Sequence, residues 1–402
     1  MSSVLTILGG SSPFTAALVD AIRDRRPSLQ PRRLVLYGRN SEHLSLVARY
    51  AQTQLEPLGW TVRTSINLVD ALEGASTVIH QIRYGGMKQR AEDERLAEAH
   101  GLAADETLGP AGLRAAIGMA PALKELALRI RECCPMAWVL NLTNPVSTVT
   151  ALLALGGLSR CVGLCELPLV TTKEACRILG LPIDAVEWSY SGLNHRGFIH
   201  ALHYQGTDYL AELPLAVGND RLGGIDAETI AELGALPLKY FRLVQTRFPY
   251  GGGRAAYLSG LRKAVFEELK GDGATSPPSL RKRSMEWYPQ SVVPMLAALE
   301  AGDGRIEVIN IPMDGGCVRE LRAKVFAGWV EPVPTPRPGA AVQRWLEVFS
   351  NHERAVLAAA LEPSRQRVAE ALAADPIVPA SAAESLIRTL IGPPRIPTGV
   401  SA

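Results

Sequence analysis

No stretch of this sequence stays apolar for the ~20 residues that a membrane-crossing helix needs, so no spanning segment is expected. Excess charge is missing too. Against 40 acidic residues stand 42 basic ones, a net charge of +2, and no dense Lys/Arg face breaks the balance. That excludes the electrostatic footprint of a nucleic-acid binder. It leaves room for a small anionic ligand, which needs only one or two local arginines. A disulfide framework is also absent. The six cysteines, at 133, 134, 161, 165, 176 and 317, follow no regular spacing, as reduced thiols in a cytosolic protein do. Cys133 and Cys134 end an expected helix and read as structural. Finally, Val4-Leu5-Thr6-Ile7-Leu8 runs straight into a glycine turn with no basic leader before it, so no secretory signal is expected and the location is read as cytoplasmic.

What is present is a large soluble chain. Its 402 residues are 47% hydrophobic and 20% charged, enough for two or three structural units around a sizeable core. Residues 4–8 predict a buried strand, followed by Gly9-Gly10-Ser11-Ser12-Pro13-Phe14 and a helix from about Thr15 to Arg25. Leu34–Tyr37 predicts a second strand, and Ser41 to about Leu55 a second helix. Further strands are expected at Val78–Ile82 and Ala137–Asn141, with a long helix near 112–132 between them. Apolar strands alternating with helices imply parallel βαβ units in a doubly wound sheet, an α/β fold of Rossmann type. From about residue 165 the pattern changes. Val186–Ser191 and Arg305–Ile311 alternate like half-exposed strands, helices lie between and after them, and an α+β half with a mixed sheet is expected. Pro332–Pro338 reads as a stiff connector, and 340–373 and 380–391 as terminal helices. The division expected is 1–165 for a dinucleotide-binding domain and 166–402 for a metal- and substrate-binding domain.

The first turn lacks the full G-x-G-x-x-G pattern, but the small residues Gly9, Gly10, Ser11 and Ser12 between strand and helix would let backbone amides approach a pyrophosphate. The second strand lacks the acid that usually grips the adenosine ribose; it ends Tyr37-Gly38-Arg39-Asn40. Arg39 therefore either accommodates a 2′-phosphate or stacks on the adenine, and NAD and NADP both stay open. Next, Gln81 to Arg95 packs charges and two glycines behind a strand, where the crevice of an open sheet lies. A solvated helix face explains Glu92, Glu94 and Arg95, but less readily the turn at Arg83-Tyr84-Gly85-Gly86. Arg90 is the candidate for gripping an anionic group with its bidentate fork. Glu106-Thr107-Leu108-Gly109-Pro110-Ala111-Gly112 suits close approach of backbone to ligand. Asn144, in Asn141-Leu142-Thr143-Asn144-Pro145, either reaches a sugar or ribose hydroxyl or forms an ordinary turn.

Cys165 and His195 matter as a pair. Taken singly, each residue type is more often core than ligand. Both stand at ends of expected strands, and Gly192 and Asn194 give His195 an irregular backbone. One thiolate and one imidazole are too few to close a structural zinc site; they suit an open divalent site completed by substrate oxygens and water, with Mn²⁺ a reasonable occupant and Fe, Co or Ni not excluded.

Together these motifs resemble glycoside hydrolase family 4, the NAD- and metal-dependent glycosidases on a lactate/malate-dehydrogenase-like fold, which do not use the two-carboxylate scheme. The resemblance spans most of the chain. It takes in the Gly9–Ser12 opening, Arg83 to Glu94, Glu106 to Gly112, Asn144-Pro145, Cys165-x-x-Pro168 and Gly192 to His195. It continues through Leu236 to Arg242, Gly253-Arg254-Ala255, Trp287-Tyr288 and Val308 to Pro312, and runs closest to the 6-phospho-β-glucosidase branch. By resemblance, C3 of the sugar is oxidised by the nicotinamide and the acidified C2 proton goes to Tyr240. The metal on Cys165 and His195 steadies the developing charge, the aglycone leaves C1, water adds, and the hydride returns. Arg242 or Lys239 would assist Tyr240; alone, that tyrosine would read as an ordinary amphipathic aromatic. The chain departs from the phospho-β branch at Glu166, where Asn is usual. An acid there would protonate the leaving group or bond a sugar hydroxyl.

The expectation is an NAD(P)- and manganese-dependent glycosidase for an anionic glycoside. Its 6-substituent would be a phosphate, or a carboxylate or sulfonate, held by Arg90 and Arg254, with Arg83, Asn144 and Asn194 as further substrate contacts. No nucleic-acid or membrane partner is expected, and a homodimer or homotetramer is. The rivals are an NAD(P)-dependent sugar or hydroxy-acid dehydrogenase, which would accumulate reduced nicotinamide, and a cofactor-sensing regulator that has lost catalysis.

Overall fold

A computed structural model describes residues 3–25, 29–30, 32–245, 252–313 and 316–391. Six strands run parallel: β1 (Val4–Leu8), β2 (Arg33–Tyr37), β3 (Thr61–Ser65), β4 (Ala75–His80), β5 (Trp138–Asn141) and β6 (Cys161–Gly163). Their spatial order is β3-β2-β1-β4-β5-β6, the order of a dinucleotide-binding sheet. Every residue of β1 is buried, which explains why the strand reads as a continuous apolar run. Leu5 and Ile7 pack with the helices Thr15–Asp24 and Ser41–Leu55, while Leu8, Val78 and Val139 pack with Gly109–Cys133 on the other face. Both faces are covered.

The second half adds β7 (Glu187–Leu193), β8 (Arg196–Tyr204), β9 (Thr207–Asp208), β10 (Leu236–Pro237), β11 (Arg305–Pro312), β12 (Val318–Val325) and β13 (Val330–Pro332). β11 pairs antiparallel with β6, and β12, β7, β8 and β10 follow, so one thirteen-stranded mixed sheet runs through both halves. The expected strands at 186–191 and 305–311 correspond to β7 and β11. The reading of 340–373 as one helix is corrected: Ala340–Leu361 and Arg365–Ala374 are separate helices. Pro363 has no N–H to continue the first, and the Ser364 side chain caps the second by accepting from Arg367 N. Among the described residues no helix is long and apolar enough to cross a membrane.

One register row organises the function. Tyr37, Leu8, His80, Asn141 and Gly163 are paired neighbours across the parallel strands, and the row continues through Asn310, Glu320 and Gly192. It marks the carboxyl edge of the parallel sheet, where ligands of open α/β folds bind.

Candidate active site

Beyond that row lie most of the candidate residues, each just past the end of its strand. Gly9–Ser12 follows Leu8, Arg39 follows Tyr37, Arg83 follows His80, Asn144 follows Asn141, and Cys165 and Glu166 follow Gly163. Asn194 and His195 form the turn between β7 and β8. Gly9 has φ 94°, and a Cβ there would come within 2.9 Å of the Gln81 carbonyl oxygen, so the turn demands glycine. The helix that follows, from Thr15, has no side-chain cap; its first amides, Thr15, Ala16 and Ala17 N, donate to the Ser12, Pro13 and Phe14 carbonyls.

Beneath the Asn144 turn a buried polar network fixes the edge. His80 Nδ1 lies 2.9 Å from Asn141 Oδ1, and Asn141 Nδ2 donates to the Thr143 and Val146 carbonyls and to Thr150 Oγ1. Full burial pushes His80 down to about 4, so its ring is neutral and one nitrogen accepts. Asn144 Nδ2 then donates to Glu106 Oε1 over 3.3 Å, while Asn144 Oδ1 is buried with no partner in the protein.

His195 adopts φ 65°, unusual for a residue with a side chain, and its ring stacks on Tyr240 with centroids 4.3 Å apart and planes 11° apart. Burial, with the charges of Lys239 and Arg196, depresses it to about 3, which leaves a neutral imidazole whose buried Nδ1 has no partner. Asn194 donates to the Cys165 thiol and, over 3.3 Å, to Glu320, while its own Oδ1 is buried and unpartnered. Burial first, then the charges of Glu166 and Glu320, pushes the Cys165 thiol well up. A sulfur, an orphaned imidazole nitrogen and an orphaned amide oxygen make a donor set that fits a divalent transition ion. Among the described residues no three His, Cys, Asp or Glu converge on one point, so such an ion would keep open positions for other oxygens.

Tyr240 sits in the short helical turn Lys239–Phe241, with Lys239 Nζ 5.3 Å from its ring centre. Its hydroxyl is pushed up, first by burial and then by the negative charges of Asp105, Glu106, Cys165 and Glu166. Glu166 precedes the helix Leu167–Leu179 and is raised by burial, with Lys239 and Arg283 pulling it back and Glu286 opposing them.

Arg90, the expected anion contact, has partners within the protein. Its Nε meets Glu94 Oε1 at 2.6 Å, its Nη1 meets Glu106 Oε2 at 2.6 Å, and its Nη2 donates to the Ala104 carbonyl. Ion-paired inside the protein, Arg90 holds Glu106, although its buried Nη1 makes no hydrogen bond there. Burial would raise Glu106, but Arg83 and Arg90 overcome it and hold that carboxylate well below its usual range.

A different set of cations converges on the crevice. Arg83 bonds Glu106 at 2.8 Å and its charge depresses both Arg262 and Arg283; Arg254 depresses Arg283 as well. Arg283, brought down to about 10 mainly by burial, lies over the rings of Phe14 and Trp287 at 4.5 and 5.0 Å. Arg254 opens the helix Arg254–Glu268, whose next amide, Ala255 N, donates to Glu94. These arginines repel one another, and the Glu106 carboxylate, bonded by Arg83 and felt by Arg283, is the negative charge among them. Arg254 is expected at the anionic group and Arg83 among the substrate contacts. Arg262 and Arg283 are not expected; the basic run Arg281-Lys282-Arg283 was the only local signal.

Comparison with known proteins gives these elements a context. Residues 3–181 match the model of family 4 glycosyl hydrolases, and residues 190–378 match that of the family 4 glycosyl hydrolase C-terminal domain. A probable 6-phospho-beta-glucosidase of Bacillus subtilis (strain 168) is 27% identical over 412 residues, covering 93% of this chain and 92% of that protein. The structure of the 6-phospho-beta glucosidase from Thermotoga maritima with manganese, NAD+ and glucose-6-phosphate superimposes with a TM-score of 0.84 at 22% identity, covering 97% of both chains. The lactate dehydrogenase of Cryptosporidium parvum, with lactic acid and its dinucleotide cofactor, has a TM-score of 0.58 at 14% identity over 90% of this chain and 99% of that one. The Rossmann-type fold expected from the strand pattern, and the lactate/malate-dehydrogenase-like fold that the resemblance implies, are therefore the fold observed.

Proposed function

The chain belongs to glycosyl hydrolase family 4, and from that premise we propose that it cleaves a 6-phosphoglycoside, a 6-phospho-β-glucoside above all, using a nicotinamide dinucleotide and a divalent ion such as manganese. One observation carries the reading: the unpartnered His195 Nδ1, its ring stacked on Tyr240, lies in the field of Glu106, the carboxylate on which Arg83, Arg90 and Arg283 also act. The named activities of the relatives support the 6-phosphate. Residues 1–165 would hold the dinucleotide on the Gly9–Ser12 turn, and 166–402 would supply most of the metal and sugar contacts.

Bound, the nicotinamide would accept a hydride from C3 and later return it, while the ion would draw electron density from the sugar oxygens. Cys165 and His195 would hold that ion, with Asn194 Oδ1 beside them. Tyr240 takes the proton from C2, and the C2 electron pair forms a double bond to C1 as the C1–O bond to the aglycone breaks. Glu166 donates the proton the leaving oxygen needs. Water then adds at C1, its remaining proton restores Glu166, and Tyr240 returns a proton to C2. Asn144 Oδ1 accepts from a sugar or ribose hydroxyl, and the arginine cluster binds the 6-phosphate.

The test uses aryl β-glucosides with and without a 6-phosphate, Mn²⁺ and sub-stoichiometric nicotinamide. Aglycone release from the phosphorylated compound over many turnovers is expected, and Arg283→Ala raises KM for it by roughly tenfold or more. Equal cleavage of the neutral glycoside contradicts the phosphate reading. Reduced nicotinamide accumulating one-for-one with product would make the protein a dehydrogenase.

A further inference from the structure

We propose that the adenosine end of the crevice carries a 2′-phosphate subsite built on Arg39, so that this chain prefers NADP(H) to NAD(H). The inference rests on the crevice holding a nicotinamide dinucleotide, and it concerns a part of the ligand remote from the sugar. In sheets of this order, selectivity is set at the end of the second strand, where an acid grips the ribose 2′- and 3′-hydroxyls and repels a 2′-phosphate. Here β2 ends at Tyr37 and the next residue is Gly38. A Cβ on Gly38 would lie 2.5 Å from both Cβ and Oγ of Ser11 and 3.0 Å from its backbone nitrogen. Ser11, in the pyrophosphate turn, thus fills the space from which a side chain at 38 would reach the ribose. No carboxylate can stand there without shifting the turn.

The following residue is the exposed Arg39. Its charge lowers the hydroxyls of both Tyr37 and Tyr84, against the burial that raises them. Tyr37 ends β2 and Tyr84 follows β4, the two strands that flank β1. Arg39 therefore lies just past the carboxyl end of β2, on the same edge of the sheet as the Gly9–Ser12 turn that follows β1. Asn40 is neutral and its Oδ1 is taken by His43 N at 2.8 Å. The first carboxylate after β2 is Glu42, in the opening turn of the helix Ser41–Leu55. With the acid removed and a cation set in the next position, the local field favours a dianionic phosphate on the ribose, and a guanidinium can hold it through two parallel hydrogen bonds.

Calorimetric titration of the purified protein tests this without any turnover. NADP+ should bind roughly tenfold or more tightly than NAD+, and adenosine 2′,5′-bisphosphate should outbind 5′-AMP by a similar factor. Arg39→Ala should bring each pair to within about twofold while leaving NAD+ binding in place, and Arg39→Lys should keep part of the preference. Equal or tighter binding of NAD+ by the unaltered protein overturns the proposal. So does an equal loss of both dinucleotides in Arg39→Ala, which would mean that the arginine acts on the shared adenine. If neither dinucleotide binds, the nicotinamide reading falls with it. Unchanged thermal melting of the variants establishes that they are folded.

Discussion

Glu320 is wholly buried, and its carboxylate collects three side-chain donors: Tyr190 Oη at 2.6 Å, Asn310 Nδ2 at 2.8 Å and Asn194 Nδ2 at 3.3 Å. Asn194 also reaches the Cys165 thiol and immediately precedes His195, so Glu320 is a positioning residue for both proposed ligands. Glu320→Ala strands those donors in a dry interior, at a cost of about 3 kcal/mol. Urea unfolding should show that loss, and manganese titration a weakened site. A variant that unfolds with the wild-type protein and binds manganese equally well would remove Glu320 from this role. Nothing local in Val318–Val325 announces it, because its partners come from three other strands or turns. Cys165 and His195 stand out in the sequence as proposed ligands because each sits in its own irregular turn. Tyr240 could be read only through the family resemblance, since a tyrosine in a short helical turn has no signature of its own.

At the scale of elements, the helix Gly86–Glu98 shows how one face is tied to the site. Arg90 and Glu94 lie one turn apart and engage Glu106 and Ala255 N, while Asp93 accepts from Gln89 at 2.8 Å and meets Arg114 at 3.5 Å. Burial raises Asp93 from 3.8 to about 6, with Gln89 and Arg114 only partly offsetting it. The folded protein therefore keeps a proton between about pH 4 and pH 6 that the unfolded chain has released, and this group makes stability fall as pH rises through that window. Asp93→Asn removes the effect. Its melting temperature relative to wild type should rise from pH 4 to pH 6 and then level off, by a total on the order of a few degrees. A pH-independent difference would contradict the assignment. The parallel strands were legible because burial on both faces makes them apolar throughout. β3, reading Thr-Val-Arg-Thr-Ser at the sheet edge, and β6, three residues long, carry too little apolar signal to register.

Over the whole molecule, one sheet joins the two halves, and the row from Tyr37 to Gly192 carries the proposed dinucleotide turn and metal ligands on a single edge. Alternating strands and helices were enough to infer the dinucleotide-binding half. Of the arginines that act on one another, Arg83 and Arg254 were legible as candidates, but Arg262 and Arg283 were not, because the fold brings them within reach of Arg83 from distant parts of the chain. The same dispersion hid the true partners of Arg90, whose sequence neighbours suggested a ligand contact and whose fold supplies carboxylates instead. The proposal that both halves serve one reaction, in which a sugar carbon is made acidic by oxidising its neighbour, is open to a direct check. When a 6-phospho-β-glucoside is hydrolysed in deuterated water with Mn²⁺ and nicotinamide present, proton NMR of the sugar product should show deuterium at C2, and Tyr240→Phe should suppress its incorporation. A product that retains its original hydrogen at C2 through complete hydrolysis would contradict the account.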